Sequence, residues 1–586
     1  MSELSPKTRP FYISIFEMIY SHPIISAALL CFFCLMLTNG NNFGDGVTLI
    51  SLVMPSVGVI ALGIFAGLYT MQSKPDDRKN KFISFGIMAA GVIAAVVFCM
   101  LVIFKQHYAY SLLNTGLAVI TGIFVYFGIR GKLTVRNGIL LIMAAGFLIR
   151  LCYIISDPIT TIQHDVGSVG SGKGGHITYI EYLYNNKMLP DFDVRTKNQF
   201  YHPPLHHIFA AVWLQIQTWM NIKYEYAFEN VQLLTLFYST LCMILSYKIY
   251  RQLDLKGISL ITATAVIAFC PTFYWLAGGI NNDILSITFM LGAILNTIYW
   301  YKNQTIKNII NIALCIGLGM MTKLSAWMVA PAVAFIFIYA LFKNILDKDN
   351  RNIKKYIIQY ISFLAVCAPL GLFWSVRNYI SHGVPIGYVL QLSKTSKQYI
   401  GDIPVMQRLF DFSAYQFSDV GDQFTMYNGS YNEFNPLVAL FKTAMFDEMV
   451  TVKNFADIDG INKMLFWSAV VIGIIGFISM IFVSFRKVKE MSVPMKIFLW
   501  LLYSVIFVSY YIFCFKFPHV CTQNIRYTVP LIVIGAYFVG YAVKYLLGDD
   551  AKKIQRIVGS LICGTVTLYA LSGILVYSVV ISNLSK

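Results

Sequence analysis

Residues 164–176 read HDVGSVGSGKGGH, and two kinds of chemistry start from that stretch. Gly167, Gly172 and Lys173 have the spacing of a phosphate-cradling loop. Such a loop needs a strand before it, a helix after it, and Ser or Thr after the lysine to hold Mg²⁺. Gly174 stands in that position and no strand pattern precedes it, so nucleotide binding is excluded and the glycines read as a flexible loop. The second chemistry belongs to Asp165. A carboxylate within hydrogen-bond reach of a hydroxyl can take its proton during attack. Five of the nine histidines, His164, His176, His202, His206 and His207, fall between residues 164 and 207. Pro203 and Pro204 suit the first turn of a helix, where a missing N–H costs nothing. They place His202 at its entrance, where an imidazole can donate to an anion. His206 and His207 read as polar residues at an interface. Asp165, His164, His176 and His202 share one side, but their spacings match no recognised ligand set. No metal ligand is assigned, no cofactor is obligatory, and a divalent metal stays open.

The elements that position these groups are apolar helices. Of the 586 residues, 57% are hydrophobic and 12% charged, about half the charge of an ordinary soluble chain. Apolar runs of about 17–25 residues recur, each long enough to cross a bilayer. The fold class is therefore an all-α polytopic membrane protein with about fifteen spans. They fall near 23–38, 48–71, 82–104, 111–129, 137–156, 229–249, 259–277, 284–301, 306–321, 325–342, 356–375, 464–485, 497–514, 527–547 and 557–581. The charge of +17 argues for cytoplasmic loops rich in Lys and Arg, not for nucleic acid. The basic segments 74–81, 130–136, 343–355, 485–496 and 549–556 share a side if the N-terminus is cytoplasmic. The polar segments 157–204 and 376–463 then lie outside, away from ATP. Residues 205–220 are apolar but too short for a full span, and counting them as one would invert the basic loops. They read as an interfacial helix.

Three further readings follow. Lys7 and Arg9 precede an apolar run without a convincing cleavage site, so the first span is expected to be retained. Cys31 and Cys34 sit within an apolar run and read as packed thiols. Cys514 and Cys521 are the plausible disulfide if their loop faces an oxidising compartment. Three modules are expected: a four-span membrane module over 1–136, the module carrying the polar loops over 137–547, and a cytoplasmic loop with the last span over 548–586.

The ordered motifs resemble a known family. HD after a span, GHITYIEYLYNNKMLPD (175–191) and YHPPL (201–205) are similar to the first outer loop of the dolichyl-phosphate-mannose–protein mannosyltransferases. Aminoarabinose transferases that modify lipid A share the same C-type (GT-C) glycosyltransferase fold. CPTFYWLAGGINNDIL (270–285), GLGMMTKLSA (317–326), WSVRNYISHGVPIGY (374–388) and NIRYTVP (524–530) resemble later family motifs, in the right order. The resemblance covers 137–547 and resembles glycosyltransferase family 39 in particular.

That resemblance implies a GT-C fold of about 13–15 transmembrane helices. It implies transfer of a sugar from a polyprenyl phosphate to a hydroxyl of a protein, lipid or cell-envelope glycan, with inversion, at the outer face of the cell membrane. The family's outer-loop acid corresponds to Asp165 as general base. The acid often paired beside it is missing, since His164 precedes and Val166 follows; this departure bears on the acceptor. Lys323, Arg377 and Arg526 are expected near the donor phosphate, where fixed cations stabilise a leaving group. Arg377 and Arg526 could instead snorkel at the interface. His202 is expected near the same phosphate. Asp283 is a second outer acid or else the cap of the next span. His164, His176 and Glu181 are candidates to face substrate, with an ordinary surface role open for His176 and Glu181. The segment YNGSYNEFNPLVALFKTAMFDE (427–448) is assigned to acceptor choice. A transporter or flippase of lipid-linked glycans is the competing class. It would show internal repeats and mid-bilayer polar groups, whereas here the polar groups crowd one face.

Overall fold

The computed structural model describes residues 108–584 apart from 160–162, 348, 350, 418–419, 422–425, 428–429, 432, 448–457 and 487–490. The spans expected near 23–38, 48–71 and 82–104, the Cys31–Cys34 pair and the basic segment 74–81 lie outside the described residues.

Each of the twelve remaining apolar runs is helical. Thr134 accepts from the Asn137 N–H and so starts α2 (Val135–Ser156), which follows α1 (Tyr108–Ile129). Three helices then occupy the first polar region and its exit: α3 (His176–Asn186), α4 (Leu205–Trp219) and α5 (Tyr224–Glu229). Next come α6 (Gln232–Gln252), α7 (Gly257–Ala268), α8 (Thr272–Gly278), α9 (Asp283–Lys302) and α10 (Ile306–Thr322). A 3₁₀ turn (Leu324–Val329) leads into α11 (Ala330–Leu346) and then α12 (Ile353–His382). The second polar region carries α13 (Val405–Phe410), a two-residue-stranded hairpin (Met426–Tyr427 with Ser430–Tyr431) and α14 (Pro436–Phe446). Helices α15 (Asp459–Phe485), α16 (Val493–Lys516), α17 (Val529–Leu546) and α18 (Lys553–Leu584) complete the chain.

Among the described residues, 10 helices are long and apolar enough to cross a membrane, or 11 if the bent pair α7–α8 counts as one span. The chain is a multi-pass membrane protein. The bend of 42° follows from sequence: Cys270-Pro271 interrupts the ladder, since proline supplies no N–H. The freed carbonyls need donors. Buried Arg150 of α2 supplies them, its Nη1 donating to Ala268 O at 2.8 Å and its Nη2 to Ile267 O at 3.0 Å. Beyond α8, Gln232 Nε2 donates to Gly278 O at 2.9 Å and Thr235 Oγ1 to Ala277 O at 2.5 Å. The chain therefore arrives at Asn281, Asn282 and Asp283 in one fixed conformation.

Packing pairs α10 with α12 and α9, α7 with α17, and α15 with α17 and α18. One large apolar cluster joins these helices. A second lies beneath the first polar region, built on Ile177, Tyr179, Phe200, Phe228 and Trp374. Helix α4 has two faces. Phe209, Val212, Ile216 and Trp219 are exposed, while His206, His207, Ala210 and Leu214 are buried. At 15 residues it is too short to span, and such a face suits a membrane surface. Cys514 and Cys521 are not joined in a disulfide, which corrects the expected bridge. Cys514 is buried in the last turn of α16 and its thiol donates to Thr522 O at 3.4 Å.

Candidate functional site

Four helix ends meet on one side of the bundle: the C-termini of α2 and α10 and the N-termini of α9 and α17. Each contributes one charged residue. Asp165 follows α2 through a short loop and takes a left-handed conformation, φ +59°, a region where Asp is tolerated better than most residues. Its carbonyl accepts from the His176 N–H at 3.0 Å, and the Val166 carbonyl from the Ile177 N–H at 2.9 Å. These bonds satisfy the orphan donors that open α3. The glycines explain the pinch. A Cβ on Gly167 would lie 2.6 Å from Gly174 O, and one on Gly175 2.6 Å from Val166 O. Only bare backbone closes this neck. Residues beyond it, such as Gly170 and Gly172, have open space around them.

Asp283 opens α9. Asn281 Oδ1 accepts its N–H at 3.0 Å, so the capping alternative for Asp283 falls instead to Asn281. The Asp283 carboxylate is left to turn inward, where it pairs with Lys323 Nζ. Lys323 stands at the break between α10 and the 3₁₀ turn that follows, which brings its ammonium to the same point. Arg526 lies in a 3₁₀ turn just before α17. Its Nη1 is 3.3 Å from Asp165 Oδ2 and 3.7 Å from Asp283 Oδ2. One guanidinium thus joins the two acids, and its Nη2 donates to the Tyr527 hydroxyl at 3.1 Å. The two acids differ in setting: the Asp165 side chain is 47% exposed and that of Asp283 only 4%.

These groups line a cavity of about 320 Å³ together with His176 and His202. The lining also includes the apolar and aromatic side chains of Leu324, Trp327, Met328, Tyr510 and Phe513. The histidines form a stack. His176 Nδ1 and His207 Nε2 are 2.8 Å apart. The His176 ring lies parallel to that of His202 at 5.7 Å, and His207 stacks on Tyr179 at 4.2 Å. Burial holds the His176, His202 and His207 imidazoles well below the usual histidine range, and the Lys323 and Arg526 charges push His176 and His202 the same way. Burial also lowers His206 to about 4, against the opposing pull of Asp283. The stack is therefore neutral at neutral pH. His206 and His207 are fully buried, not interfacial as expected, because they lie on the inner face of α4.

Asp165, His176, His202, Asp283, Lys323 and Arg526 are thus brought together. Three other expected residues are not. Arg377 turns away from the cavity; its Nη2 donates to Pro190 O at 2.6 Å and its guanidinium lies over Trp374. It ties α12 to the first polar region. Glu181 Oε1 accepts from the Gly170 N–H at 2.8 Å and from the Tyr224 hydroxyl at 3.3 Å, on the outer side of the glycine loop. His164 points inward to Asp447, Nε2 to Oδ1 at 2.6 Å. Among the described residues no group of three or more metal-ligating side chains gathers. His164 and His176 are instead hydrogen-bonded to Asp447 and His207. Asp447, Asn524 and Tyr527 were not singled out from sequence. Tyr527 follows a named arginine and was open to notice; Asp447 lies within the long loop with no local signal.

A family model described as dolichyl-phosphate-mannose-protein mannosyltransferase matches residues 202–374. That segment holds His202, Asp283 and Lys323 but not Asp165 or Arg526. No curated protein matches the chain. Among solved structures, the oligosaccharyltransferase of Archaeoglobus fulgidus in its apo form aligns with TM-score 0.42 and 13% identity, over 76% of this chain and 56% of that one. The same enzyme tethered by a disulfide to an acceptor peptide containing the NVT sequon aligns with TM-score 0.41 and 13% identity, over 76% and 55%. The chain spans little more than half of that enzyme's length.

Proposed function

We propose that this chain, a membrane protein of the GT-C glycosyltransferase superfamily, moves a sugar from a polyprenyl-phosphate donor to a hydroxyl acceptor. The observation that carries the reading is that one cavity is lined both by the cations Lys323 and Arg526 and by the apolar side chains of Leu324, Trp327, Met328 and Phe513. A lipid phosphate likewise combines a charged group with an apolar chain.

Arg526 offers a planar fork suited to phosphate oxygens. A donor phosphodiester carries one negative charge and the departing polyprenyl phosphate gains another. Lys323 and Arg526 face that growing charge, and fixed cations in a partly dry site stabilise it most. Neutral His202 and His176 add hydrogen-bonding groups without adding charge. Asp283 is occupied by Lys323 and Arg526. Asp165 is the open carboxylate and the general base. It takes the acceptor proton as the acceptor oxygen bonds to the anomeric carbon. The bond from that carbon to the phosphate oxygen breaks, the polyprenyl phosphate departs, and a single displacement inverts the centre. The site faces the extracytoplasmic side, with the N-terminus cytoplasmic.

Purified protein in nanodiscs, given a panel of radiolabelled polyprenyl-phosphate sugars and hydroxyl acceptors, tests the reading. Label transferred to an acceptor supports it. Label carried across a liposome bilayer with the donor left intact would replace it with transport.

A further inference from the structure

We propose that Asp447 is a positioning residue that sets the candidate base, Asp165, in register with Arg526; this rests on the assignment of Asp165 above. Asp447 stands 283 residues from His164 in sequence, yet its Oδ1 accepts from His164 Nε2 at 2.6 Å. The same oxygen accepts from Asn524 Nδ2 at 3.3 Å. His164 immediately precedes Asp165. Asn524 in turn accepts the Arg526 N–H on its Oδ1 at 3.0 Å. One carboxylate oxygen therefore binds the side chains that flank the Asp165–Arg526 pair, His164 beside Asp165 and Asn524 beneath the Arg526 N–H.

The support beneath Asp447 is rigid. It terminates α14, its N–H donating to Thr443 O at 3.1 Å. That helix is pinned at three places. Thr272 Oγ1 of α8 donates to Ala444 O at 2.9 Å, Tyr577 of α18 donates to Met445 O at 2.9 Å, and the Ile525 N–H donates to Thr443 Oγ1 at 3.0 Å. The His164 and Asp447 side chains are each 5% exposed, so the bond is made out of water, where a charge-assisted contact is strong. Both linked acids hold left-handed backbone, Asp165 at φ +59° and Asp447 at φ +55°. Non-glycine residues keep that conformation only where the surroundings enforce it. Asp447 lines no part of the cavity, so it acts through its neighbours and not on substrate. Misplacing a reacting carboxylate by about an ångström costs up to about a hundredfold in rate.

The test is a double-mutant cycle read as single-turnover transfer in nanodiscs, with donor affinity measured alongside. Asp447→Ala should slow transfer about tenfold or more while donor affinity stays within about twofold. Asp447→Asn keeps an acceptor oxygen and should recover most of that loss. In an Asp165→Asn background, Asp447→Ala should cost less than about twofold, because the group it aligns is already disabled. The same loss in both backgrounds would overturn the tether. So would an Asn variant as slow as the Ala variant. If Asp447→Ala fails to assemble, the cycle is run with His164→Gln in its place, with the same two outcomes. Full transfer by Asp165→Asn alone would instead sink the base assignment, which keeps the two failures apart.

Discussion

Asp165 and Asp283 bind the same guanidinium yet have different work to do. Asp283 is enclosed and carries an ion pair with Lys323, whereas Asp165 stays half open to the cavity. A buried carboxylate held by two cations is a poor base but a good anchor for them. Arg526→Ala should therefore weaken donor binding and slow transfer together, by about ten- to a hundredfold, the usual scale of a charged hydrogen bond. Arg526→Lys should recover part of it, keeping the charge but losing the fork. Donor titration of the three forms checks this; unchanged affinity in the alanine variant would make Arg526 a surface anchor. The histidine stack has its own pH signature. Folded imidazoles sit below their unfolded value of about 6.5, so the unfolded form binds more protons and stability falls as pH drops. The window opens near 6.5 and runs down to about 4, the value for His206. Amide protection factors over residues 164–207, corrected for the intrinsic exchange rate at each pH, should fall on acidification through that window. No change between pH 7 and 4.5 would mean that the stack is not buried neutral. At this scale the charged motifs were legible because each occupies a short string. The His164–Asp447 bond was not, since nothing local links residues so far apart.

The element that decides the site's shape is the pinched glycine loop. Its sequence suggested looseness, and the outer glycines, Gly170 and Gly172, have open space around them. The neck does not. Gly167 and Gly175 pack backbone against backbone because the opening turn of α3 must reach the carbonyls of residues 165 and 166. Gly175→Ala meets both a φ of +110° and a 2.6 Å clash with Val166 O. It should cost about 1–3 kcal/mol and slow transfer by displacing Asp165. Gly172→Ala, at φ +62° but with open space around it, should cost only the backbone strain of about 1–2 kcal/mol and leave transfer intact. Thermal unfolding and turnover of the two variants distinguish the neck from the tip; equal effects would contradict the account. The apolar runs were legible as helices because length and hydropathy alone mark them. The break between α7 and α8 was hidden inside one such run. Pro271 was visible there, but not the buried Arg150 that makes the bend affordable.

Across the whole molecule, four helix ends bring two acids and two cations to one face, and the proposal places that face outside the cell. Cysteines introduced within 167–174 should react with an impermeant thiol reagent in intact cells, while cysteines within 491–496 should not. Labelling of the second set alone would invert the orientation. The face itself was legible from the alternation of basic and polar loops. The bridging of Asp165 and Asp283 by one arginine was not, because it depends on how α2, α9 and α17 pack. In the proposed reaction Asp165 takes the acceptor proton in a single displacement. The most direct measurement of that role is the rate of polyprenyl phosphate release with acceptor present, for wild type and Asp165→Asn, alongside donor affinity. Affinity should be unchanged and the release rate lower by about a hundredfold or more in the variant; a variant that binds donor and releases polyprenyl phosphate at the wild-type rate would contradict that role for Asp165.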